Sequence, residues 1–444
     1  MLQTDTIPKI EPNIRVGIIL PEDKISRIKL EIPADENYTL RSESINNIFK
    51  KGPFVFQQEE KKIYCEGMGI DTTWKISATQ ASPIKPAGGI KVSGVPAGRG
   101  FHWQKFIDVY LPGNLEISVQ DGHLLLINEL PLERYLNCVA TAEMSARCPA
   151  AFLEAQTIAA RSWMLANVEQ KHLRRYGFDV CNDDCCQRYQ GTGNLTAPSI
   201  QAAANTRGQV LLFQDRICDS RYSKSCGGMS ERFSTIWGGQ DHDYLQVRPD
   251  SDPAVAGAIN ELDSEQKVID WINHTPLSFC SSSTIPEKEL KKYLGNVDEE
   301  GKYFRWQVVY SQQEMCSLLN VKLNLKAKSI LDFVPLQRGG SGRIIRLQVK
   351  YIDASGKVST TIVQRDVQIR RALHQGFLYS SCIYFSAERG KDNFPVQFTI
   401  HGAGWGHGVG LCQIGALGMA LRGYQTKEIV KHYYPGSRLT TIYK

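Results

Sequence analysis

Residues 128–163 read NELPLERYLNCVATAEMSARCPAAFLEAQTIAARSW, and in this stretch the periodicity of the chain changes from that of strands to that of helices. Pro131 suits the first turn of a helix. Apolar residues follow it at helical spacing: Leu132, Tyr135, Leu136 and Val139. Pro149 opens a second such stretch, whose apolar face comprises Phe152, Leu153, Ile158, Trp163 and Met164. The segment therefore predicts two helices joined by the short link SARCP.

The chain before this segment alternates short apolar and polar stretches with turn residues between them. Examples are IRVGIIL, ISRIKLEIP, FIDVYL and HLLLINEL, a pattern typical of strands. Further strands are predicted at QVLLF, GRIIRLQVKYI and STTIVQ, and helices at LCQIGALGMALRG and TKEIVKHYY. We therefore expect an α+β protein in which helices of a mixed core surround a cleft.

The organisation along the chain predicts four regions. Residues 1–82 form a β-rich N-terminal region, and residues 83–255 and 329–444 form the two parts of the core. Residues 256–328 mix short helical signals, such as EKELKKYL and EMCSLLN, with little visible chemistry, so we interpret them as an insertion or subdomain. A length of 444 residues fits this division into two or three domains.

Composition and charge exclude several classes of protein. Hydrophobic residues make up 42% and charged residues 22%, which is ordinary globular usage. The net charge of +6 is not gathered into a dense basic patch, as it would be in a nucleic-acid binder. No apolar run is long enough to span a bilayer, and residues 16–20 are too short a run for a secretory leader. The chain is therefore either cytoplasmic or has lost a leader.

Glu143 ends the first predicted helix, just before the tight link. A carboxylate at this position is not needed for packing, although a solvent-exposed helix end would also explain it. The segment HGAGWGHGVGLCQIG, residues 401–415, carries six glycines, which let the backbone approach a ligand closely. Its glycine spacing fits neither a dinucleotide-binding fingerprint nor a Walker A loop, so the pattern disfavours nucleotide binding. The alternative interpretation is an ordinary tight turn whose histidine forms hydrogen bonds within the protein.

A third unusual segment, SRYSKSCGGMSE at residues 220–231, would by itself predict only a hairpin. In order along the chain, however, five segments resemble the SpoIID/LytB family. They are LPLERYL, AEM with AQTIAARS, SCGG with the following Trp237 and Gly238, GHGVGLCQIGA, and HYYPG. Together they reach from Leu130 to Gly436.

This resemblance implies cleavage of peptidoglycan glycan strands, with Glu143, the glutamate of the AEM segment, as the catalytic acid and base of a lytic transglycosylase. One carboxyl group suffices for that reaction, because the sugar's own 6-hydroxyl attacks and leaves a 1,6-anhydro end, whereas ordinary glycosidases use two carboxylates. No cofactor is required. We expect partial burial of Glu143, since a raised pKa suits a general acid.

The resemblance also implies that the glycine-rich loop and the SKSCGG turn line the sugar-binding cleft. Six residues are then expected to contact the glycan: Arg161, Lys224, Ser225, Trp405, His407 and Gln413. Trp405 would stack on a sugar face, although a tryptophan beside glycines is as often packed in a core.

Most of the twelve cysteines are dispersed, which is more typical of buried small side chains than of a disulfide framework. The exception is the loop HLRRYGFDVCNDDCCQRYQG, which brings His172 together with Cys181, Cys185 and Cys186. A mixed His and Cys set binds zinc tetrahedrally, and some members of the family are similar in carrying a zinc site in this loop. We predict a zinc there with a structural or cleft-shaping role; a redox pair of the adjacent cysteines and inert cysteines stay open as alternatives.

Two other functions compete with glycan cleavage. In the first, the protein is a non-catalytic wall-binding module that stimulates a cell-wall amidase, as the name amidase enhancer within the family implies. A zinc hydrolase is disfavoured because no HExxH arrangement is present. The expected partners are glycan strands, stripped of stem peptides by an amidase, which would place the working protein in the periplasm or elsewhere outside the cytoplasmic membrane.

Overall fold

The structure is a computed structural model that describes residues 2–3, 6–45, 48–49, 51–80, 83–100, 104–166, 175–252, 254, 260–294 and 302–444. The chain forms two compact units. Unit 1 comprises Met1–Asp219, Tyr293–Val297 and Arg438–Lys444, and unit 2 comprises Ser220–Lys292 and Asp298–Ser437. The predicted α+β class and β-rich N-terminal region are confirmed. The four-region division made from the sequence stays a prediction.

Unit 1 is built mainly from strands. Its strands are β1 (Asn13–Ile19), β2 (Arg27–Ile32), β3 (Tyr38–Ser42), β4 (Ile48–Phe49), β5 (Gly52–Glu59), β6 (Lys62–Cys65), β7 (Gly69–Asp71), β8 (Thr73–Ala78), β9 (Ile90–Ala97), β10 (Lys105–Leu111), β11 (Asn114–Gln120), β12 (His123–Pro131), β13 (Val180–Cys181), β14 (Gln209–Phe213), β15 (Arg216–Ile217) and β24 (Arg438–Thr441). Its helices are α1 (Leu132–Glu143), α2 (Ala150–Ala166) and α3 (Ala197–Asn205).

Three sheets hold these strands together. A seven-stranded sheet has the order β13-β1-β12-β11-β8-β3-β4, a six-stranded sheet the order β10-β9-β2-β5-β6-β7, and a small sheet the order β15-β14-β24. Strand β2 shows why the sequence folds this way. Its residues alternate between exposed and buried, with Ile28, Leu30 and Ile32 facing the core, as period-2 patterning requires of a half-buried strand.

Unit 2 begins with a short strand and continues with helices and small sheets. Its strands are β16 (Tyr222–Ser223), β17 (Arg305–Ser311), β18 (Ala327–Arg338), β19 (Ile344–Asp353), β20 (Val358–Gln364), β21 (Ile383–Arg389), β22 (Pro395–Ala403) and β23 (Leu411–Cys412). Its helices are α4 (Phe233–Trp237), α5 (Glu265–Asn273), α6 (Glu287–Leu290), α7 (Gln312–Leu323), α8 (Asp366–Ala372), α9 (Gln413–Leu421) and α10 (Thr426–Tyr433). The sheets are β17-β22-β21, β18-β19-β20 and the parallel pair β16-β23.

The two helices predicted from the opening segment are confirmed. Helix α1 begins directly after Pro131, and its predicted apolar residues Leu132, Tyr135, Leu136 and Val139 are all buried. No helix in the described part of the chain is long and apolar enough to cross a membrane.

A buried ion pair joins α1 to α2. Arg161, which has no exposed surface, donates from Nε to Glu133 Oε1 at 2.9 Å and from Nη2 to Glu133 Oε2 at 2.6 Å. Glu133 Oε1 also accepts from the Gly208 N–H at 3.2 Å and from the Tyr443 hydroxyl at 2.7 Å. One carboxylate therefore binds both helices, the start of β14 and the segment after β24.

Removing the cation from this pair should destabilise unit 1 strongly. We expect Arg161→Leu to lower the free energy of unfolding by about 3–5 kcal/mol, because it leaves the Glu133 carboxylate buried without its charge partner. Urea unfolding followed by circular dichroism measures the loss. The control is Arg216→Leu, an exposed arginine of the same unit, which should change stability by less than about 0.5 kcal/mol. Equal stability of the two variants would contradict the assigned role of the pair.

Candidate active site

Glu143 is the last residue of α1 and is half-buried. The helix stops here because Met144 is extended, with φ −136° and ψ 155°, and forms an antiparallel bridge with Leu294. The following Ser145 N–H donates to Tyr293 O at 2.9 Å. The short segment at residues 293–294 thus pairs with the chain directly after Glu143, where the helix ends.

A cavity of about 200 Å³ opens beside the end of α1. Thr141 and Ala142, the two residues before Glu143, line it together with the end of β9, two residues of β10 and the loop after β13. Its polar lining residues are Lys105, Thr141, Asn182, Asp183, Asp184, Arg188, Gln190 and Asn194. The wall is rich in groups that can form hydrogen bonds with hydroxylated ligands.

Arg99 holds the loop that forms one wall of this cavity. Its guanidinium donates to Asp23 through Nε at 2.6 Å and Nη2 at 2.8 Å, and to Asn182 Oδ1 through Nη1 at 2.7 Å. Asp183 accepts from the Gly98 and Arg99 backbone N–H groups at 2.9 and 2.7 Å. The loop is therefore fixed at its base by charged and backbone contacts within unit 1.

Asp184, one of two aspartates in the cavity wall, was missed from the sequence. It accepts from Arg188 Nε at 3.0 Å. Burial raises the pKa of Asp184, and the negative charges of Asp183 and Glu143 add to this effect against the attraction of Arg188. Nothing in the spacing DDCC marks Asp184 as a neighbour of Glu143, because the two carboxyl groups approach only in the folded chain.

The cysteine loop brings its three thiols together. The sulfur atoms of Cys181 and Cys185 lie 2.9 Å apart, and all three sulfurs, including that of Cys186, lie within 4.8 Å of one another. Cys181 is buried, whereas Cys185 is exposed. Three thiols supply three of the four corners of a tetrahedral zinc site. His172, the predicted fourth ligand, lies outside the described residues.

Arg161, one of the predicted substrate contacts, is fully buried in unit 1. Besides Glu133 it contacts Gln209 O at 3.1 Å and Thr206 Oγ1 at 3.5 Å. These contacts explain why the sequence needs an arginine here without invoking a ligand. Its predicted contact with glycan stays a prediction.

The other predicted substrate contacts belong to unit 2, where the turn after β16 pairs with the glycine-rich loop. Ser225 N–H donates to Trp405 O at 2.9 Å, and Trp405 N–H donates to Ser225 O at 2.8 Å. Beside this bridge, β16 and β23 pair in parallel. The fully buried Arg343 joins both segments by donating to Cys226 O and Gly406 O, each at 3.3 Å.

Glycine is required at the closest approach of these segments. Gly410 has φ +72°, and a Cβ atom there would lie 2.0 Å from Arg221 O. No side chain fits at that distance from a backbone carbonyl. The glycines predicted to allow close backbone approach do so here toward the chain's own backbone.

The predicted contact residues of unit 2 differ in accessibility. Ser225 and Gln413 are buried, whereas Lys224, Trp405 and His407 are partly exposed. The Trp405 ring packs against Tyr303 and Tyr379, with centroid distances of 4.6 and 5.5 Å. Because Glu143 belongs to unit 1, a single cleft containing all of these residues stays a prediction.

His407 is held as a neutral imidazole. Its Nδ1 accepts from the Val409 N–H at 3.0 Å, so the neutral ring carries its proton on Nε2. Burial lowers the pKa of His407 well below its usual range, and the positive charges of Arg221, Arg343 and Arg370 lower it further. His407 can thus act as a hydrogen-bonding group near neutral pH without carrying charge.

Comparison with known proteins supports the family resemblance. Residues 120–213 match the family described as stage II sporulation protein, and residues 231–410 match a domain of unknown function (DUF8618). The first match covers α1, α2 and the cysteine loop. It therefore includes Glu143 and most of the residues that line the cavity.

Individual relatives agree with these matches. The chain is 26% identical over 308 residues to the amidase enhancer of Bacillus subtilis, covering 67% of this chain and 39% of that protein. It is 22% identical over 329 residues to stage II sporulation protein D of Bacillus subtilis, covering 71% and 76%. An uncharacterised protein of Brachyspira hyodysenteriae is 24% identical over 325 residues, covering 73% and 70%. The SpoIID/LytB resemblance is thus confirmed.

The close approach at Gly410 yields a prediction about unit 2. Gly410→Ala should lower its stability by more than the roughly 1–3 kcal/mol that a left-handed backbone alone costs a side chain, because the new methyl group also meets Arg221 O. Gly356→Ala is a matched control, since Gly356 has φ +88° but open space around its Cβ position. Thermal unfolding of both variants measures the difference, and equal losses would exclude the steric contact.

The neutral state of His407 predicts sensitivity to acid. Above pH of about 6.5 the ring is neutral in both the folded and unfolded chain, whereas below it the unfolded chain binds the proton more readily. The free energy of unfolding should therefore fall with decreasing pH, by up to about 1.4 kcal/mol per pH unit from this residue. Urea titrations between pH 7 and 5 should show a shallower slope for His407→Gln than for wild type. The exposed His274 provides the control, His274→Gln, and identical slopes in all three proteins would refute the prediction.

Proposed function

We propose that this chain, which carries a stage II sporulation protein domain, cleaves peptidoglycan glycan strands as a lytic transglycosylase with Glu143 as its acid and base. The observation that carries the proposal is the position of Glu143. It ends a fixed helix, is half-buried, and follows two residues that line a polar cavity. The family match over residues 120–213 covers this same region.

The proposed reaction needs one proton carrier. Glu143 first donates its proton to the glycosidic oxygen, and the bond from that oxygen to the anomeric carbon breaks. The resulting carboxylate then takes the proton of the sugar's 6-hydroxyl, whose oxygen forms the new bond to the anomeric carbon. No water is consumed, and the product is a 1,6-anhydro end. A carboxyl group in a partly desolvated position is suited to both steps.

Asp184 makes ordinary hydrolysis the mechanistic rival. A glycosidase usually has two carboxyl groups, one on either side of the scissile bond; it adds water to that bond and leaves a reducing end. In this chain, however, Asp184 is paired with Arg188 at 2.8 Å. We therefore assign Asp184 to shaping the cavity and expect the product to be the anhydro sugar.

The cysteine loop is proposed to hold zinc in a structural role. The thiols of Cys181, Cys185 and Cys186 fit three tetrahedral positions, and His172 is the proposed fourth ligand. A bound zinc would cross-link the loop. Asp183 and Asp184 lie between the ligands, so the metal would fix this part of the cavity wall. No step of the reaction passes through the metal.

Unit 2 is proposed to contribute to glycan binding through its partly exposed residues. Lys224, Trp405 and His407 offer an ammonium group, an aromatic face and a neutral imidazole, which together suit a sugar. Ser225 and Gln413 are buried and support this surface. Arg161 supports the fold of unit 1 from within.

The names of relatives support a proposal about the substrate and the location. One relative is an amidase enhancer, so we propose that glycan freed of stem peptides by a wall amidase is preferred. Work on such a polymer takes place outside the cytoplasmic membrane. Equal cleavage of strands that still carry their peptides would refute the preference.

The decisive test is the replacement of Glu143. We expect Glu143→Gln to lower the rate of formation of anhydro-muramyl products by about 100-fold or more, because general acid catalysis typically contributes that much. The substrate is purified peptidoglycan with and without prior amidase treatment, and products are identified by mass spectrometry.

Two matched variants make this test specific. Glu66→Gln changes an exposed glutamate of the same unit and should act like wild type. Asp184→Asn should keep the anhydro product even if its rate falls. Reducing ends in place of anhydro ends, lost in both Glu143→Gln and Asp184→Asn, would show a two-carboxylate hydrolase instead.

The similarity to an amidase enhancer also favours a second function, in which the chain binds glycan and stimulates an amidase without cutting sugars. This function is supported if wild type and Glu143→Gln both leave glycan intact, bind it equally in sedimentation assays, and raise the rate of an added wall amidase equally.

A further inference from the structure

A second set of potential metal ligands lies in unit 2, away from the cysteine loop in sequence. Cys226, Asp250, Cys280 and Cys412 each offer one ligand atom, and these four atoms lie within 4.8 Å of one another. All four residues are buried, and all three thiols are free. We call them the Cys3Asp cluster. They come from four separate segments, so sequence spacing gave no sign of them.

The distances match a mononuclear tetrahedral site. Zinc–sulfur bonds of about 2.3 Å place neighbouring sulfur atoms at the corners of a tetrahedron roughly 3.8 Å apart. The Cys226 and Cys280 sulfurs lie 3.7 Å apart. Three thiolates and one carboxylate are all acceptable zinc ligands, and four protein ligands complete the coordination of a closed site.

The carboxylate of Asp250 has the surroundings of a metal ligand. Its Oδ1 accepts from the Tyr433 hydroxyl at 2.8 Å and lies 3.6 Å from His432 Nε2. Its Oδ2 is buried and has no hydrogen-bond partner among the described residues. A buried carboxylate oxygen without a partner is costly. Neighbours that orient one oxygen while leaving the other for the ion are typical around bound metals.

Backbone groups around the cluster favour the thiolate of Cys412. The Cys412 sulfur accepts from the Cys226 N–H at 3.2 Å and from the Gly415 N–H at 3.3 Å, at the first turn of α9. A helix N-terminus stabilises negative charge. Arg305 lies nearby, is half-buried, and donates to backbone carbonyls, among them Gly227 O at 3.0 Å, with no carboxylate at ion-pair distance in the described chain. An anionic cluster would balance its charge.

We propose that the Cys3Asp cluster binds a single divalent transition-metal ion, with zinc as the best-fitting one, in a closed structural site. The ligand set and the buried position leave no open coordination site for a substrate or water. The ion would connect the turn after β16, the start of α9 and the segments at Asp250 and Cys280. These include the segments that carry Ser225 and Gln413, so the metal would position that part of unit 2.

The main alternative is a disulfide between Cys226 and Cys280. Such a bond would require an oxidant, would remove two hydrogens from the chain, and would leave the Cys412 thiolate and Asp250 Oδ2 without a common partner. The metal explains all four groups at once, whereas the disulfide explains two of them.

The test starts from the full chain with the first cluster removed by Cys181→Ser, Cys185→Ser and Cys186→Ser. After reconstitution with zinc under reducing conditions and removal of excess metal, inductively coupled plasma mass spectrometry should find one zinc per chain. Cobalt(II) in place of zinc should give the absorption of a tetrahedral thiolate site. Added to this background, Cys280→Ser should abolish binding, whereas Cys316→Ser, which changes a buried thiol outside the cluster, should not.

A milder variant keeps the test valid if Cys280→Ser fails to fold. Tyr433→Phe retains all four ligands but removes the hydrogen bond to Asp250 and should weaken zinc binding by about 10–100-fold. Tyr424→Phe, which removes a hydroxyl that contacts Asp252 instead, should bind like its parent. The proposal is overturned if the background protein binds neither zinc nor cobalt. It is also overturned if non-reducing mass spectrometry of the metal-free protein shows a Cys226–Cys280 disulfide and the protein still takes up no zinc after reduction.

Discussion

The Glu133 carboxylate is the contact on which the arrangement of unit 1 depends. Its two oxygens accept four hydrogen bonds, two of them from Arg161, and these come from α2, the start of β14 and the segment after β24. A buried carboxylate is tolerated only when such partners compensate its lost hydration. The pair fixes α1 against α2, and with them the position at which α1 ends. The position of Glu143, at the other end of α1, therefore depends on the ion pair between Glu133 and Arg161.

Much of the fold could be predicted because its signals are local. The helical spacing after Pro131, the second start at Pro149 and the alternation in β2 each follow from residues close in sequence. The site was only partly predictable. Glu143 stands out at a helix end, but Asp184 becomes its neighbour only through folding, and the cysteines of unit 2 meet from segments far apart. The ion pair of Arg161 with Glu133 likewise could not be predicted, because the two residues are 28 positions apart and meet only in the folded chain.

Unit 2 meets a different constraint from unit 1. Its glycine-rich loop and the segment around β16 approach so closely that backbone meets backbone, with Gly410 against Arg221 O just before that strand. Side chains are absent at these points, so backbone hydrogen bonds and the Arg343 guanidinium hold the two segments together there. Such close backbone contacts restrict motion, which under the proposed function would limit the entropy lost when a polysaccharide binds.

Strand β24 has a consequence for the order in which the molecule assembles. Unit 1 obtains this strand and Tyr443 from residues that follow unit 2 in the sequence. During synthesis, and during any passage through a translocation channel, β14 therefore presents an open edge and Glu133 lacks one of its donors until the ribosome has finished unit 2. Open edges recruit other strands. The nascent chain is thus most vulnerable to aggregation in the interval before residues 438–443 emerge, and chaperones that shield exposed strand edges would act in that interval.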